Sequence, residues 1–219
     1  MFMHWEKQLN KNGYVQIKNF LPEAQALSFR KKILAAKHHK TWDLLTTPYR
    51  PLMSIKDILT SSTVDKRRHQ QAVKALQRRQ FSFSFYRTGN KHEKAHGSGD
   101  IHRTFCQLLQ QKVNEPLALD GEVTDTFLAL FMKGQFINYH SDKGAGKYAF
   151  IYQLSKGWQH KYGGQLELYP KRIKFYKKSL QPEFNSLVLL KIDHPMYHSV
   201  RVLNNPAHKQ RITISGWLV

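Results

Sequence analysis

The sequence predicts a mainly β fold with flanking helices, organised as a two-sheet jelly roll of cupin-like architecture. Two observations predict the sheets: from the turn signal Asp120-Gly121 onward, short apolar runs follow one another to the C-terminus, and Gly and Asn punctuate them. A third predicts the helices: before that point, three segments carry apolar residues at helical spacing. One domain is expected over residues 1–219. Residues 1–120 would supply an N-terminal strand and supporting helices, and residues 121–219 the β core that carries the site.

Gly13-Tyr14-Val15-Gln16-Ile17 alternates as a half-buried strand does. Pro22 and Glu23 then open a helix, the proline suiting its first turn and the acid its positive end. Ala24, Leu27, Ile33 and Leu34 give that helix an apolar face through Ala36. From His38 to Thr63 the signals are mixed, with Pro48, Pro51 and several Thr and Ser favouring loop with short helical pieces. Val64 to Gln80 is helical but strongly basic, with a stripe of only Val64, Ala72, Val73 and Leu76. A solvated face is its ordinary reading, and a surface for phosphates or acidic protein the other. Phe81-Ser82-Phe83-Ser84-Phe85 is a strand whose rings suit a core more readily than a base-stacking platform. The polar, Gly-rich stretch Arg87 to Gly99 reads as a loop, and Ile101 to Val113 as a helix with Phe105, Leu108, Leu109 and Val113 on one side. Further strands are expected near Thr126–Met132, Phe136–His140, Tyr148–Leu154, Gln165–Tyr169, Leu187–Ile192, Tyr197–Val202 and Arg211–Leu218. The basic stretch Lys171 to Lys178 reads as a loop or solvated edge between them.

At 219 residues and 41% apolar composition the chain can bury a core of its own. No run of about 18 apolar residues occurs, so no membrane span is expected. The start lacks the charged-then-apolar layout of a signal peptide. The single cysteine, Cys106, excludes an internal disulfide, fits a reducing compartment and reads as a small buried hydrophobe. A cytoplasmic protein is expected. The formal charge of +20 attracts anions of any kind, whether nucleic acid, ribosome, acidic protein or small anionic substrate, and does not bear on fold.

Asn138-Tyr139-His140-Ser141-Asp142 puts an imidazole and a carboxylate two residues apart, hence on one face of an extended strand. His198 follows 56 residues after Asp142, inside the apolar run Met196-Tyr197-His198-Ser199-Val200. Arg211 comes 13 residues later, at the head of the strand-like Arg211-Ile212-Thr213-Ile214-Ser215-Gly216-Trp217. Two histidines and one carboxylate on a rigid sheet form the facial triad that binds non-haem Fe(II), leaving metal positions for co-substrate and O₂. In a chain with 12 histidines a His-x-Asp pair alone is a weak signal, and the distal His and Arg strengthen it. His194 and His208 are rival distal ligands. His198 is preferred because it sits in a strand-like run, whereas Pro195 marks a turn directly after His194.

On these residues the sequence resembles the 2-oxoglutarate- and Fe(II)-dependent dioxygenases of the prolyl-hydroxylase type. The resemblance runs from Phe131 to Val219 and is weaker before it. It is carried by Phe131 to Asp142, Gly163-Gly164-Gln165-Leu166-Glu167-Leu168-Tyr169, Phe184 to Leu190, His198-Ser199-Val200 and Arg211 to Trp217. The Gly-Gly-x-Leu-x-Leu and Arg-x-x-Ile-Ser-Gly-Trp pieces look most like the branch that hydroxylates a ribosomal-protein proline. The resemblance implies a double-stranded β-helix in which His140, Asp142 and His198 are the catalytic Fe(II) ligands. It also implies that Arg211 anchors the distal carboxylate of 2-oxoglutarate, through two parallel hydrogen bonds that a lysine cannot make. Thr213, facing the same way, would add a hydroxyl donor. Fe(II), 2-oxoglutarate and O₂ are the implied cofactors, with ascorbate as an optional addition, and succinate and CO₂ the by-products. Halogenases of this superfamily typically replace the carboxylate by a small residue, so Asp142 implies hydroxylation or a related oxidation.

The sequence departs from the family pattern at two positions. A tyrosine that helps bind 2-oxoglutarate commonly lies nine residues before the first His, and Phe131 stands there. A second usual tyrosine is Gln153, preceded by Tyr152. The Gln153 amide can donate a hydrogen bond and Phe131 cannot, so co-substrate binding is expected to be rearranged, weaker, or completed by Asn138 or another side chain. Trp217 is expected to line that pocket or the core. Gly144 and Gly146 make Lys143 to Lys147 a flexible entrance loop whose cations meet an acidic substrate. The implied substrate is a protein side chain, prolyl first. A free amino acid or other small metabolite stays open, as does a non-catalytic basic module binding nucleic acid or ribosomes on a degenerate barrel.

Overall fold

The computed structural model describes residues 3–36, 42–46, 63–89, 99–117, 123–169, 177–192 and 196–219. In chain order the elements are α1 (Met3–Asn12), β1 (Tyr14–Ile17), α2 (Glu23–Ala36), β2 (Asp43–Thr46), α3 (Thr63–Gln77), β3 (Phe83–Gly89) and α4 (Gly99–Leu117). They continue with β4 (Val123–Phe131), β5 (Phe136–His140), β6 (Tyr148–Gln153), β7 (Leu166–Tyr169), β8 (Lys178–Leu180), β9 (Ser186–Lys191), β10 (Tyr197–Val200) and β11 (Arg211–Leu218).

Every strand pair is antiparallel, and the order runs β1-β9-β6-β11-β4-β3-β5-β10-β7-β8, with β2 also on β3. Strand β3 joins two layers. Its C-terminal half, Tyr86–Gly89, pairs with β4, while Phe83 and Ser84 pair with Ile137 and Phe136 of β5. The wide layer β1-β9-β6-β11-β4 therefore passes through β3 into the narrow layer β5-β10-β7-β8. The result is the antiparallel jelly-roll, cupin-like half-barrel expected from the strand spacing.

Alternation along the strands divides the interior into two cores. On the outer face of the wide layer, Leu128, Leu130, Phe150, Tyr152, Leu187, Leu189, Ile212 and Ile214 pack with Leu9 of α1, Phe29 and Ile33 of α2, and Phe105 and Leu109 of α4. One residue out of step, Ala129, Phe131, Ala149, Val188 and Leu190 face inward with Leu166, Leu168 and Val200 of the narrow layer. The helices cover a sheet face that would otherwise be apolar and wet.

Local chemistry accounts for several boundaries. Gly13 ends α1 in a left-handed conformation, φ 75°, its amide reaching back to the Leu9 carbonyl at 2.8 Å. Helix α3 has a thin apolar stripe, as the sequence indicates. It is nonetheless seated on β3, with Ala72 buried and His69 Nδ1 sharing a 3.0 Å hydrogen bond with Ser84 Oγ. Asn185 ties the start of α2 to the sheet, its amide donating to the Leu21 carbonyl at 2.7 Å while its oxygen accepts from the Leu21 amide and the Tyr152 hydroxyl.

Three differences from the sequence reading have a common cause. Strand β3 runs on to Gly89, into a stretch read as loop, because β2 and β4 flank it and satisfy its backbone. Strands β2 and β8 carry little periodicity and exist through packing on neighbours, while helix α1, not read from the sequence, is amphipathic and buries Leu9 in the outer core. Helix α4 is longer than expected and takes Pro116 into its last turn. The rest of 38–63, most of 87–99 and most of 171–178 lie outside the described residues. No helix among the described residues is long and apolar enough to cross a membrane.

Candidate metal and co-substrate site

His140 ends β5, and His198 lies directly opposite it on β10. The register between these strands shifts by one residue, since His198 pairs with His140 but Val200 pairs with Ile137. Strand β5 thus carries a bulge at Asn138-Tyr139, which turns His140 onto the same inner face as Ile137. Asp142 follows two residues beyond the end of β5. Its carboxylate sits between the two rings, Oδ1 3.7 Å from His140 Nε2 and Oδ2 3.6 Å from His198 Nε2. The ring centroids are 4.1 Å apart, and ligand atoms of all three residues lie within 4.8 Å of one another.

The donor chemistry fits a ferrous ion. His140 Nδ1 lies 2.8 Å from the Asn138 carbonyl, so that nitrogen carries the proton and the Nε2 lone pair is left for a metal. His198 is buried, and burial first, then the neighbouring His140, push its pKa down to about 3 against the opposing pull of Asp142 and the Met196 backbone. A neutral imidazole is the form that coordinates. Two neutral imidazoles and one carboxylate are the set that Fe(II) takes when open positions are kept for other ligands. Of the rival histidines, His208 is exposed in a turn, and His194 lies outside the described residues.

The cluster opens on a cavity of about 370 Å³, and Arg211 lines it from the head of β11. Arg211 is 1% exposed, and its Nε and one terminal nitrogen have no hydrogen-bond partner. Burial lowers its pKa to about 9, which leaves a cation at neutral pH. A buried, incompletely paired guanidinium is costly, and a carboxylate entering the cavity would relieve that cost. The Phe131 ring lies beneath the guanidinium at 4.9 Å and is itself stacked on Phe85 at 5.0 Å. Gly164, at φ +70°, gives Arg211 room: a Cβ there would stand 3.1 Å from Arg211 Cδ. Thr213 lines the same cavity, its hydroxyl 3.0 Å from that of Ser215.

Gln153 and Asn138 stand differently. Gln153 is buried with both side-chain polar atoms unpartnered, yet it is not among the residues lining the cavity. Tyr152 beside it faces the helices and donates to Asn185. The Asn138 side chain donates to the Gln80 carbonyl at 3.0 Å and accepts from the Tyr139 amide, and only its backbone carbonyl touches the cluster. Trp217 lines the cavity beside Phe127, over whose ring Arg87 lies at 4.1 Å. Sequence reasoning missed Ser215 and the ring series Phe81-Phe83-Phe85. Ser215 was signalled by the same two-residue step that links Arg211 to Thr213. The rings gave only a strand signal, which does not say which face meets a cavity.

Residues 126–219 match the family model described as the 2OG-Fe(II) oxygenase superfamily. Among solved structures the chain is similar to a Pseudomonas putida prolyl-4-hydroxylase, at 18% identity and TM-score 0.61, covering 100% of this chain and 98% of that one. It is similar also to a Trichoplax adhaerens prolyl hydroxylase in complex with a peptide fragment of the hypoxia inducible factor oxygen degradation domain, at 18% identity and TM-score 0.64, covering 98% and 86%. A third similarity is to the non-heme alpha-ketoglutarate-dependent epimerase SnoN of nogalamycin biosynthesis, at 10% identity and TM-score 0.64, covering 98% and 80%. At these identities the likeness is one of fold. The matched segment, residues 126–219, and the His-Asp-His cluster within it are those of an Fe(II)- and 2-oxoglutarate-dependent dioxygenase domain. The chain is an enzyme of that class, and its cofactors are Fe(II), 2-oxoglutarate and O₂.

Proposed function

We propose that this dioxygenase hydroxylates a protein side chain, prolyl first, with residues 1–219 acting as one unit. The observation that carries the reading is the buried guanidinium of Arg211 in the same cavity as His140, Asp142 and His198. His140, Asp142 and His198 hold Fe(II), and Arg211 grips the distal carboxylate of 2-oxoglutarate with Thr213 adding a hydroxyl. Bound there, the metal and co-substrate supply the oxidation: 2-oxoglutarate and O₂ become succinate and CO₂ while one oxygen atom passes to the substrate. The protein's part is orientation and exclusion of water. The Asn138 carbonyl fixes the His140 tautomer, and Phe83, Phe85, Phe127, Phe131 and Trp217 keep the reacting end of the cavity apolar. With Phe131 lacking a hydroxyl, Thr213 is the hydroxyl nearest in sequence to the Arg211 anchor on β11.

An uncharged target side chain suits these walls, whereas an ammonium or guanidinium would meet Arg87 and Arg211. The prolyl reading is supported by the motifs shared with the ribosomal-protein branch. Incubation of Fe(II)-loaded protein with 2-oxoglutarate and a cell extract should yield succinate and a protein heavier by one oxygen at a proline. His140→Ala should abolish both. Succinate release retained in His140→Ala would overturn the metal assignment, and the extra oxygen on a free amino acid would move the substrate to the small-molecule class.

A further inference from the structure

The rim of the cavity carries a chemistry that the metal site does not use. Phe81 marks its outer edge, 50% exposed, with its ring 5.6 Å from Phe83 and 5.7 Å from His140. Behind Phe81 the chain runs back to the end of α3 through Arg79 and Arg78, both exposed. The Gln80 carbonyl accepts from Asn138 Nδ2, which fixes this bank against β5 two residues before His140. Asp142 lines the same cavity as Phe81 and is followed by the exposed Lys143 and Lys147. Gly146 sits against Trp217 and Leu218, and the Lys147 amide donates to the Leu218 carbonyl at 2.7 Å, so this second bank borders the wall that Trp217 provides.

Both banks have one sign over long stretches of chain. No acid occurs from Lys66 to His92, and between Asp125 and Glu167 the only one is Asp142. Among the described residues none of Arg78, Arg79, Lys143 and Lys147 is in an ion pair. The ordinary reading of such a run is a solvated face; what sets this one apart is that Phe81 and Asp142, from which both pairs of cations lead off, line the cavity.

We propose that the rim binds the substrate as an acidic polypeptide segment: carboxylates on either side of the target residue meet Arg78 and Arg79 on one bank and Lys143 and Lys147 on the other, while an uncharged apolar side chain enters past Phe81. This rests on the hydroxylase reading of the cavity and names the flanking chemistry of its substrate. A peptide fits better than a nucleic acid, although the cations would attract either. A nucleobase carries several polar edge atoms, and apart from Arg87 over the Phe127 ring the walls Phe81, Phe83, Phe127 and Ile137 return no hydrogen bond to them. An apolar amino-acid side chain loses nothing on the same path.

The test is fluorescence anisotropy on the full chain with 2-oxoglutarate and Mn(II) under nitrogen, so that no turnover intervenes. The probes are labelled short peptides with a central Pro-Leu pair, flanked by Asp and Glu, by Ser and Gly, or by Lys, together with a labelled single-stranded oligothymidylate. The acid-flanked peptide should bind roughly tenfold tighter than the Ser/Gly peptide at low salt, since exposed pairs are individually weak and several act together. That margin should close as salt rises to about 0.5 M. Arg78→Glu/Arg79→Glu and Lys143→Glu/Lys147→Glu, each checked for fold by circular dichroism, should each reduce the preference. Equal affinity for acidic and neutral peptides, no affinity for either, an unchanged preference in both variants, or tighter binding of the oligothymidylate would overturn the proposal. Succinate release by the wild type, measured alongside, reports on the hydroxylase reading separately: its absence with the acid preference intact would remove the chemistry and keep the rim.

Discussion

The two faces of β11 are built from one strand and satisfied to different degrees. Toward the helices, Ile212, Ile214 and Leu218 are fully buried among Leu128, Leu130, Phe150, Leu187 and Leu189. Toward the cavity, one residue out of step, stand Arg211, Thr213 and Ser215, with a guanidinium lacking part of its hydrogen bonding and two hydroxyls bonded to each other. Apolar packing stabilises the first face, and the second is left incomplete where a ligand would finish it. A strand can do both because its side chains alternate while its backbone ladder runs in register with β4 from Arg211 to Trp217 and with β6 from Thr213 to Leu218. Local inconsistency of this kind is expected at functional sites.

That contrast can be broken most severely from the helix side. Ile214→Ala should cost about 2–5 kcal/mol of stability in urea unfolding, because it removes buried methyl groups and leaves a cavity. A loss well below that would mean the outer face is not what holds β11. From the cavity side the sign should reverse. Without co-substrate, Arg211→Met should be about 1 kcal/mol more stable than the wild type, since an incompletely paired buried charge is removed. The rise in Tm that 2-oxoglutarate gives the wild type should vanish in this variant. If Arg211→Met is instead several kcal/mol less stable, the guanidinium is serving the fold.

Glu167 on β7 sharpens the comparison, being a buried charge that is fully served. Lys177 Nζ reaches its carboxylate at 2.6 Å and the Tyr169 hydroxyl donates at 2.8 Å. Burial alone would raise the pKa of this carboxyl. The hydrogen bonds from Lys177 and Tyr169, with the charges of Lys177 and Arg201, outweigh it and hold the group below its ordinary value of 4.5. A depressed folded-state pKa contributes stability above the unfolded value and loses it as pH falls through the folded one. Glu167→Gln should therefore remove a contribution of less than about 1 kcal/mol near neutral pH, Lys177 being half exposed, and flatten the decline below about pH 4.5. An unchanged acid limb would show the pair to be silent.

Much of this architecture was legible in the residues. The bounds of β5 and β11 coincide with the expected strands, Phe136–His140 and Arg211–Leu218. His140, Asp142, His198 and Arg211 could be picked out because a two-residue step and long offsets link residue types that share one chemistry. The bulge in β5 was not legible, since it depends on how β10 pairs with β5. Phe85 read as core and is buried in the inner core, with Phe83 packed against it; that both also line the cavity was not legible, because which side of a strand meets a space is set by the opposing layer. Asn138, expected to help hold the co-substrate, turns its side chain to Gln80 because the bulge points it outward.

By itself the sequence determined which side chains share a face, the donor types available to a metal, and the single sign of charge along two long stretches. Those properties follow from backbone geometry and composition, which are local. Only the tertiary structure decided that His198 stands opposite His140, that Arg211 is sealed from water without full pairing, and that Phe81 and Asp142 line one cavity. Register and burial arise from contacts between strands far apart in the chain, and no local pattern fixes them.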